Sequence, residues 1–186
     1  MRYRFAVLFV ALATVAQFGV FAPSAGAAGG ESCAQLVGRA KFNPALPPIG
    51  TNTRVVTTIS SQTGLNFNAC SRPAGAYGSF TFKAKAKTAQ NCRTLGAGSG
   101  LTAVGTGTIK WQKGVSSTLA SLTFVIPQHS KSLTATLTAS VAKGQFAGKH
   151  MKATVVFAPA NKSCQPPNGL SQAQMGIPKG TKMVIS

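Results

Sequence analysis

Four cysteines are the side chains of this sequence with the clearest chemistry, because they can either form disulfides or bind zinc. Zinc sites commonly contain a Cys-x-x-Cys pair, which this sequence lacks, and neither His129 nor His150 stands at zinc-finger spacing. An even number of cysteines in an exported chain favours two disulfides. Four cysteines allow three connectivities, of which we favour Cys33–Cys70 with Cys92–Cys164.

Carboxylates are almost missing, because Glu31 is the only acidic residue of the chain. Most glycosidases and the aspartic proteases need two carboxylates, and calcium and magnesium sites need several acidic oxygens. Each histidine stands in a turn-like segment without an acidic neighbour to orient it, and no Gly-x-Ser-x-Gly nucleophile elbow is present. The sequence therefore predicts no enzyme activity, no catalytic residues, no metal and no cofactor.

Lysines form the most suggestive positive pattern. Lys83, Lys85 and Lys87 alternate with other residues, so a strand would place all three on one face. Their Cα atoms would lie about 6.6 Å apart, at a rise of about 3.3 Å per residue. Two more lysines flank the single tryptophan on another predicted strand, Lys110 and Lys113. All five are candidates for binding an anionic polymer. Lysines on an edge strand also prevent pairing between sheets of different molecules, and the sequence leaves both explanations open.

The charge balance indicates attraction to anions. Lys+Arg 19 against Asp+Glu 1 gives a formal net charge of +18, whereas ordinary soluble domains mix both signs. Anionic envelope polymers and anionic lipid surfaces are the expected partners, although high charge also serves solubility. Nucleic acid is disfavoured, because binders of single strands present aromatic platforms to the bases. Most aromatic residues here fall on predicted inward faces. Tyr77 and Trp111 are the two candidates for stacking, although a position in the core is the favoured interpretation of both.

Residues 1–27 are predicted to be a signal peptide that is removed on export. Arg2 and Arg4 precede an apolar run over residues 5–20, and the small residues 25–27 supply a cleavage site. The alternative is a retained membrane anchor, but this run is slightly short to span roughly 30 Å of hydrocarbon. Residues 28–186 would then form one secreted β domain without a transmembrane segment. Its expected location is extracellular, and association with the cell wall is one form of it.

The elements that must position these side chains are β-strands, because period-two alternation recurs and Gly or Pro interrupts helical patterns. The clearest alternation covers residues 79–87, 132–142 and 151–158, with apolar residues inward and threonines, serines or lysines outward. Further strands are predicted over residues 37–42, 53–60, 103–113, 118–126 and 183–185, and one helical turn over 170–175. About seven to eight short strands favour an antiparallel β-sandwich with immunoglobulin-like or related topology, and a β-barrel is the alternative.

A series of short motifs gives the chain a resemblance to a known group. The motifs are Cys33, Phe42-x-Pro44-x-Leu46, Cys70, Cys92, Gly105-x-Gly107-x-Ile109-x-Trp111-x-x-Gly114, Gly144-x-Phe146-x-Gly148 and Cys164. In this order they resemble uncharacterised secreted β-sandwich proteins of actinobacteria. That group has no established activity, so the resemblance implies no functional residue.

Charge, cysteines and strand pattern together lead to one functional expectation. The sequence predicts a secreted, strongly basic, non-enzymatic module that binds anionic polymers of the cell envelope or extracellular space. The alternatives are a structural protein of the cell surface or matrix, and a cationic antimicrobial effector.

Overall fold

The computed structural model describes residues 30–71, 74–96, 99–128, 133–159 and 164–186. The predicted signal peptide and His129 lie outside these residues. The described elements, in chain order, are β1 (Glu31–Leu46), β2 (Thr58–Ser61), β3 (Leu65–Cys70), β4 (Gly78–Ala86), α1 (Cys92–Gly96), β5 (Leu101–Trp111), β6 (Ser116–Ile126), β7 (Thr134–Gly144), β8 (His150–Pro159), β9 (Leu170–Gly176) and β10 (Met183–Ile185). No helix within the described ranges is long and apolar enough to cross a membrane.

The strands close into an antiparallel barrel with eight strand positions. Neighbouring positions are also neighbours along the chain, and β1 pairs with both β2 and β9, which completes the ring. The predicted all-β class is confirmed, whereas the predicted immunoglobulin-like sandwich is wrong and the alternative barrel fits. Inward and outward residues alternate in both architectures. The pairing of β1 with β9, which are far apart in sequence, distinguishes the barrel from the sandwich.

Two of the eight positions are each shared by two short strands. β2 and β3 both pair with β1 on one side and with β4 on the other, and residues 62–64 separate them. β9 and β10 share the position between β8 and β1 in the same way. The barrel wall is therefore interrupted at two places, and the first interruption lies directly beside the predicted lysine strand β4.

Apolar side chains on the inward faces fill the barrel. The predicted alternation of β4 is confirmed, since Phe80, Phe82, Ala84 and Ala86 are buried. Aromatic rings form an unbroken series of contacts through the interior, with neighbouring centroids 4.8 to 6.3 Å apart. In contact order the rings are Phe146, Trp111, Phe67, Phe80, Phe82, Phe124, Phe157 and Phe42. Burial of this apolar surface is the main favourable contribution to folding.

Irregularities in β5 and β6 bend the wall at one level of the barrel. A Cβ atom at Gly105 would lie 1.9 Å from the backbone oxygen of Lys83, so only glycine lets β4 and β5 approach so closely. The register between β5 and β6 shifts between Gly105 and Gly107. In β6, Ser121 adopts a φ of 50°, and Leu119 and Leu122 are both buried although they are three positions apart. Such bulges increase the local bend and twist that a closed barrel needs.

Disulfides tie the chain at both ends of the barrel, and both predicted pairings are confirmed. Cys33–Cys70 joins directly paired residues of β1 and β3 near the start of β1. Cys92–Cys164 joins the first residue of α1 to the segment before β9, at the opposite end. Asn91 caps α1, because its Oδ1 accepts the Thr94 N–H at 2.8 Å while the Thr94 Oγ1 accepts the Asn91 N–H at 3.0 Å.

The predicted strands are confirmed in most of the chain. β4 to β8 and β10 overlap the predicted ranges, whereas β1 extends well beyond residues 37–42 at both ends. Within residues 53–60 the structure has an isolated bridge at Val55 and the start of β2. The helical turn predicted over 170–175 is wrong, because these residues belong to β9, and β3 was not predicted.

Candidate anion-binding surface

The predicted lysine row lies on the outside of β4. Lys83 and Lys85 are exposed on this strand, and Lys87 is exposed just after it. β4 pairs along its length with β5 on one side and with β2 and β3 on the other. The strand therefore has no free edge, and prevention of edge-to-edge pairing does not explain its lysines.

β1 brings two more cations beside this row. Lys41 and Lys83 are both paired with Ser60 of β2, from opposite sides. Two strand spacings of about 4.8 Å place their Cα atoms roughly 10 Å apart. Arg39 is exposed two residues before Lys41 on the same strand. We name Arg39, Lys41, Lys83 and Lys85 the basic face. Sequence patterns could not find Arg39 and Lys41, because their place beside β4 depends on the pairing of β1 with β2.

Lys110 and Lys113 do not join the basic face. Lys110 is exposed on β5 opposite Ser79, four residues along β4 from Lys83, which corresponds to about 13 Å. Lys113 is exposed in the turn after β5. Trp111 between them points inward, where its Nε1–H donates to the Ser117 Oγ at 2.9 Å. The indole is therefore not on the outer surface that carries these two lysines.

A shallow groove crosses the outer surface next to the basic face; most of its accessible lining is apolar surface, and hydroxyl-bearing side chains are set within it. It has a volume of about 740 Å³ and extends over β2, β4, β5 and β6. We name it the hydroxyl groove; its polar side chains are Ser60, Ser61, Gln62, Thr63, Thr81, Lys83, Thr106, Thr108 and Thr118. The groove lies where the wall is irregular, at the interruption between β2 and β3 and at the register shift in β5.

Two hydroxyl groups of the groove contact the backbone of the barrel wall. Ser61 Oγ accepts the backbone N–H of Phe82 at 3.1 Å and so closes the wall where β2 ends. The Thr81 hydroxyl makes one long contact, at 3.5 Å, with the backbone oxygen of Thr108. Thr106 and Thr118 are both exposed on the outer face of the wall. Their hydroxyl groups can donate to and accept from a ligand.

Glu31 is not available to this surface. Its side chain is buried with 1% exposure, and its oxygens accept hydrogen bonds from the Ser71 hydroxyl at 2.7 Å, the Ser32 N–H at 3.1 Å and the Ala74 N–H at 3.2 Å. His150 is exposed at the start of β8, on the outside of the barrel. The described residues contain no group of three potential metal ligands.

Comparisons with known proteins leave this surface to be interpreted on its own chemistry. No protein-family model, curated protein or solved structure matches the chain. The resemblance to secreted actinobacterial proteins therefore stays a prediction, and any function must be argued from the basic face and the hydroxyl groove.

Proposed function

We propose that this protein is a secreted, non-enzymatic module that binds an anionic polymer of the cell envelope or extracellular space on its basic face. The observation that carries the proposal is the row Lys41, Ser60 and Lys83, which spans three adjacent strand positions of a closed wall. Lys85 continues this row along β4. Cations held on a rigid sheet at regular spacing suit a ligand whose charges also repeat.

A polymer suits this surface better than a small ion. The cations lie on an open outer face rather than in an enclosed pocket, so each contact with an anion is exposed to water and weak. A chain that carries many anions can make several such contacts at once, and the second and later contacts are effectively intramolecular. Binding without catalysis also accords with the burial of Glu31, which leaves this surface without a carboxylate side chain.

Export is part of the proposal. The two disulfides are compatible with an oxidising, extracellular environment. The sequence of residues 1–27 supports delivery to that environment by a signal peptide. Attachment to the cell wall would follow from binding to wall polymers and requires no membrane segment.

The test compares two variants that remove the same charge from different places. Lys83→Gln/Lys85→Gln alters the basic face, and Lys179→Gln/Lys182→Gln removes two exposed lysines from the segment that precedes β10. Binding of fluorescently labelled inorganic polyphosphate is measured by anisotropy over a range of salt concentrations. We expect the magnitude of the slope of log affinity against log salt to decrease by about 1.4–1.8 for the first variant, at roughly 0.7–0.9 per lost contact, and to change little for the second.

Two outcomes would overturn the proposal. Equal losses in both variants would mean that the net charge attracts polyphosphate without a defined face. Tighter binding to phosphatidylglycerol vesicles than to polyphosphate, at equal phosphate concentration, would replace the polymer by a lipid surface.

A further inference from the structure

We infer that the polymer is a hydroxylated phosphate chain, a polyol phosphate or phosphorylated glycan, and that the hydroxyl groove recognises its hydroxyl groups while the basic face neutralises its phosphates. This inference rests on the proposed binding of an anionic polymer and deepens it by naming the ligand chemistry. Three features of the groove support it: the hydroxyl-bearing residues in its lining, its contact with the basic face at Lys83, and the lack of an exposed aromatic ring among its lining residues.

Threonines dominate the polar part of the groove lining. Thr106, Thr108 and Thr118 occupy neighbouring positions on β5 and β6, and Thr108 pairs directly with Thr118. Thr81 of β4 pairs with Thr108 from the other side. The row of Thr81, Thr108 and Thr118 therefore presents hydroxyls at a strand spacing of about 4.8 Å. A hydroxyl both donates and accepts, which matches the hydroxyls of polyols and sugars.

The groove and the basic face meet at one lysine. Lys83 belongs to both surfaces, because it lines the groove and stands in the basic face. Its cross-strand neighbours are Ser60 on one side and Thr106 on the other, so a hydroxyl-bearing residue pairs with Lys83 on both adjacent strands. A ligand that follows the groove therefore passes hydroxyl-bearing residues and a lysine at neighbouring strand positions, about 4.8 Å apart between Cα atoms. A chain in which phosphates and hydroxyls alternate complements this order.

Among the described residues, the groove lining presents no exposed aromatic ring and no large exposed apolar side chain. The ring of Phe82 points inward, and its contacts are with Phe80 and Phe124 in the barrel interior. Tyr77, the exposed aromatic residue of the described chain, precedes β4 at the end far from Lys87 and does not line the groove. Nucleic acid bases would lack a stacking platform here, and no large exposed apolar side chain lines the groove for insertion into lipid.

The experiment separates hydroxyl recognition from charge attraction. Three polymers of matched phosphate number are compared, namely poly(glycerol phosphate), a phosphomannan and inorganic polyphosphate, which has no hydroxyl groups along its chain. The variant Thr106→Val/Thr108→Val/Thr118→Val keeps the shape and the strand preference of these side chains and removes only hydroxyls. We expect it to bind poly(glycerol phosphate) or phosphomannan about tenfold more weakly, as three modest hydrogen bonds would give, and polyphosphate within about twofold of the original protein.

A matched control replaces threonines elsewhere on the barrel. Thr136→Val/Thr138→Val/Thr154→Val alters the outer faces of β7 and β8, away from the groove, and should leave the affinity for all three polymers unchanged. Thermal unfolding of both variants verifies that the barrel is intact. The difference between poly(glycerol phosphate) and phosphomannan shows which hydroxylated backbone is preferred, and either preference supports the inference.

The two proposals fail in different ways. If the groove variant binds every polymer as the original protein does, or loses affinity for all of them equally, the hydroxyl inference is wrong. If the hydroxyl inference fails in this way but Lys83→Gln/Lys85→Gln still weakens polyphosphate binding, the proposed function stands and only the hydroxyl inference is lost. If neither the lysine variant nor the groove variant changes any affinity, both proposals are wrong.

Discussion

Glu31 shows how a single buried carboxylate connects separate segments of this protein. The only acidic side chain of the sequence is buried at the start of β1, where a hydroxyl and two backbone N–H groups satisfy its oxygens. These donors hold the segment around Ser71 and Ala74 against β1. A carboxylate with this many internal partners acts as a structural acceptor, and the outer surface is left to the cations.

Replacing this carboxylate by an amide should destabilise the fold. In Glu31→Gln an NH₂ group takes the place of one oxygen and meets donors, so at least one hydrogen bond of the site is lost. We expect the free energy of unfolding to fall by about 1–3 kcal/mol, the usual effect of leaving a buried polar group without its partner. Urea unfolding followed by circular dichroism measures the change. The polyphosphate affinity of this variant should equal that of the original protein, because Glu31 lies away from the basic face. An unchanged free energy of unfolding would show that these hydrogen bonds make no net contribution to stability.

At the scale of elements, the Cys92–Cys164 disulfide is the main constraint on the loop-rich end of the barrel. It joins α1 to the segment before β9, and the backbone N–H of Ile49 donates to the Cys164 oxygen at 2.8 Å. Several long connections therefore meet at one covalent link, whereas β1 and β9 already hold each other by strand pairing.

Removal of this link should lower stability without opening the barrel. The bond closes a loop with a sequence separation of 72 residues, for which the chain-entropy model gives a loss of about 4 kcal/mol in Cys92→Ser/Cys164→Ser. Urea unfolding of the oxidised proteins measures the loss, and anisotropy with polyphosphate should show unchanged affinity. If this variant lost polyphosphate affinity but kept its stability, the disulfide would support the basic face rather than the stability of the loop-rich end, and the prediction would be wrong.

Sequence patterns predicted the strands that alternate regularly and failed where bulges disturb the alternation. The predicted strands 132–142 and 151–158 keep strict period two in sequence. Within the strands that the structure describes there, over residues 134–142 and 151–158, the inward faces were predicted correctly. In β9 the buried residues Leu170 and Ala173 are three apart, a spacing typical of helices. The strand nevertheless persists, because its pairing with β1 changes register between Lys41 and Leu46.

The candidate site was predictable only in the part that lies on one strand. The outward row Lys83, Lys85 and Lys87 follows from local alternation alone. The place of Lys41 beside Lys83 and the assembly of the hydroxyl groove depend on which strands are neighbours, and that information is not local. The same limitation explains why the β-sandwich was preferred, since closure depends on β1 meeting β9.

At the scale of the whole molecule, the formal charge of +18 is the dominant electrostatic feature. The one acidic side chain is buried among uncharged donors, so the exposed lysines and arginines have no surface carboxylate side chain to balance them. Mutual repulsion of like charges therefore opposes the compact state. The same field draws anions toward the barrel, and both effects decrease when salt screens the charges.

Salt should consequently stabilise the folded protein while it weakens polymer binding. Raising sodium chloride from about 20 mM to about 200 mM shortens the screening length several-fold, and we expect the midpoint of thermal unfolding to rise by a few degrees. Differential scanning fluorimetry at constant pH measures the shift. A midpoint that stays constant or falls would mean that repulsion among the basic side chains is not a significant term in stability.

The position of Trp111 has a practical consequence for all of these measurements. The single tryptophan is packed against Phe67 and Phe146 inside the barrel, while the surface to be tested lies on the outside of the wall. Its fluorescence therefore acts as an optical reporter of the interior. A polymer that docks outside leaves the emission spectrum in place, and loosening of the barrel shifts it toward the red. Binding, measured by the anisotropy of the labelled polymer, and integrity of the barrel, measured by tryptophan emission, can thus be followed in the same sample as independent signals.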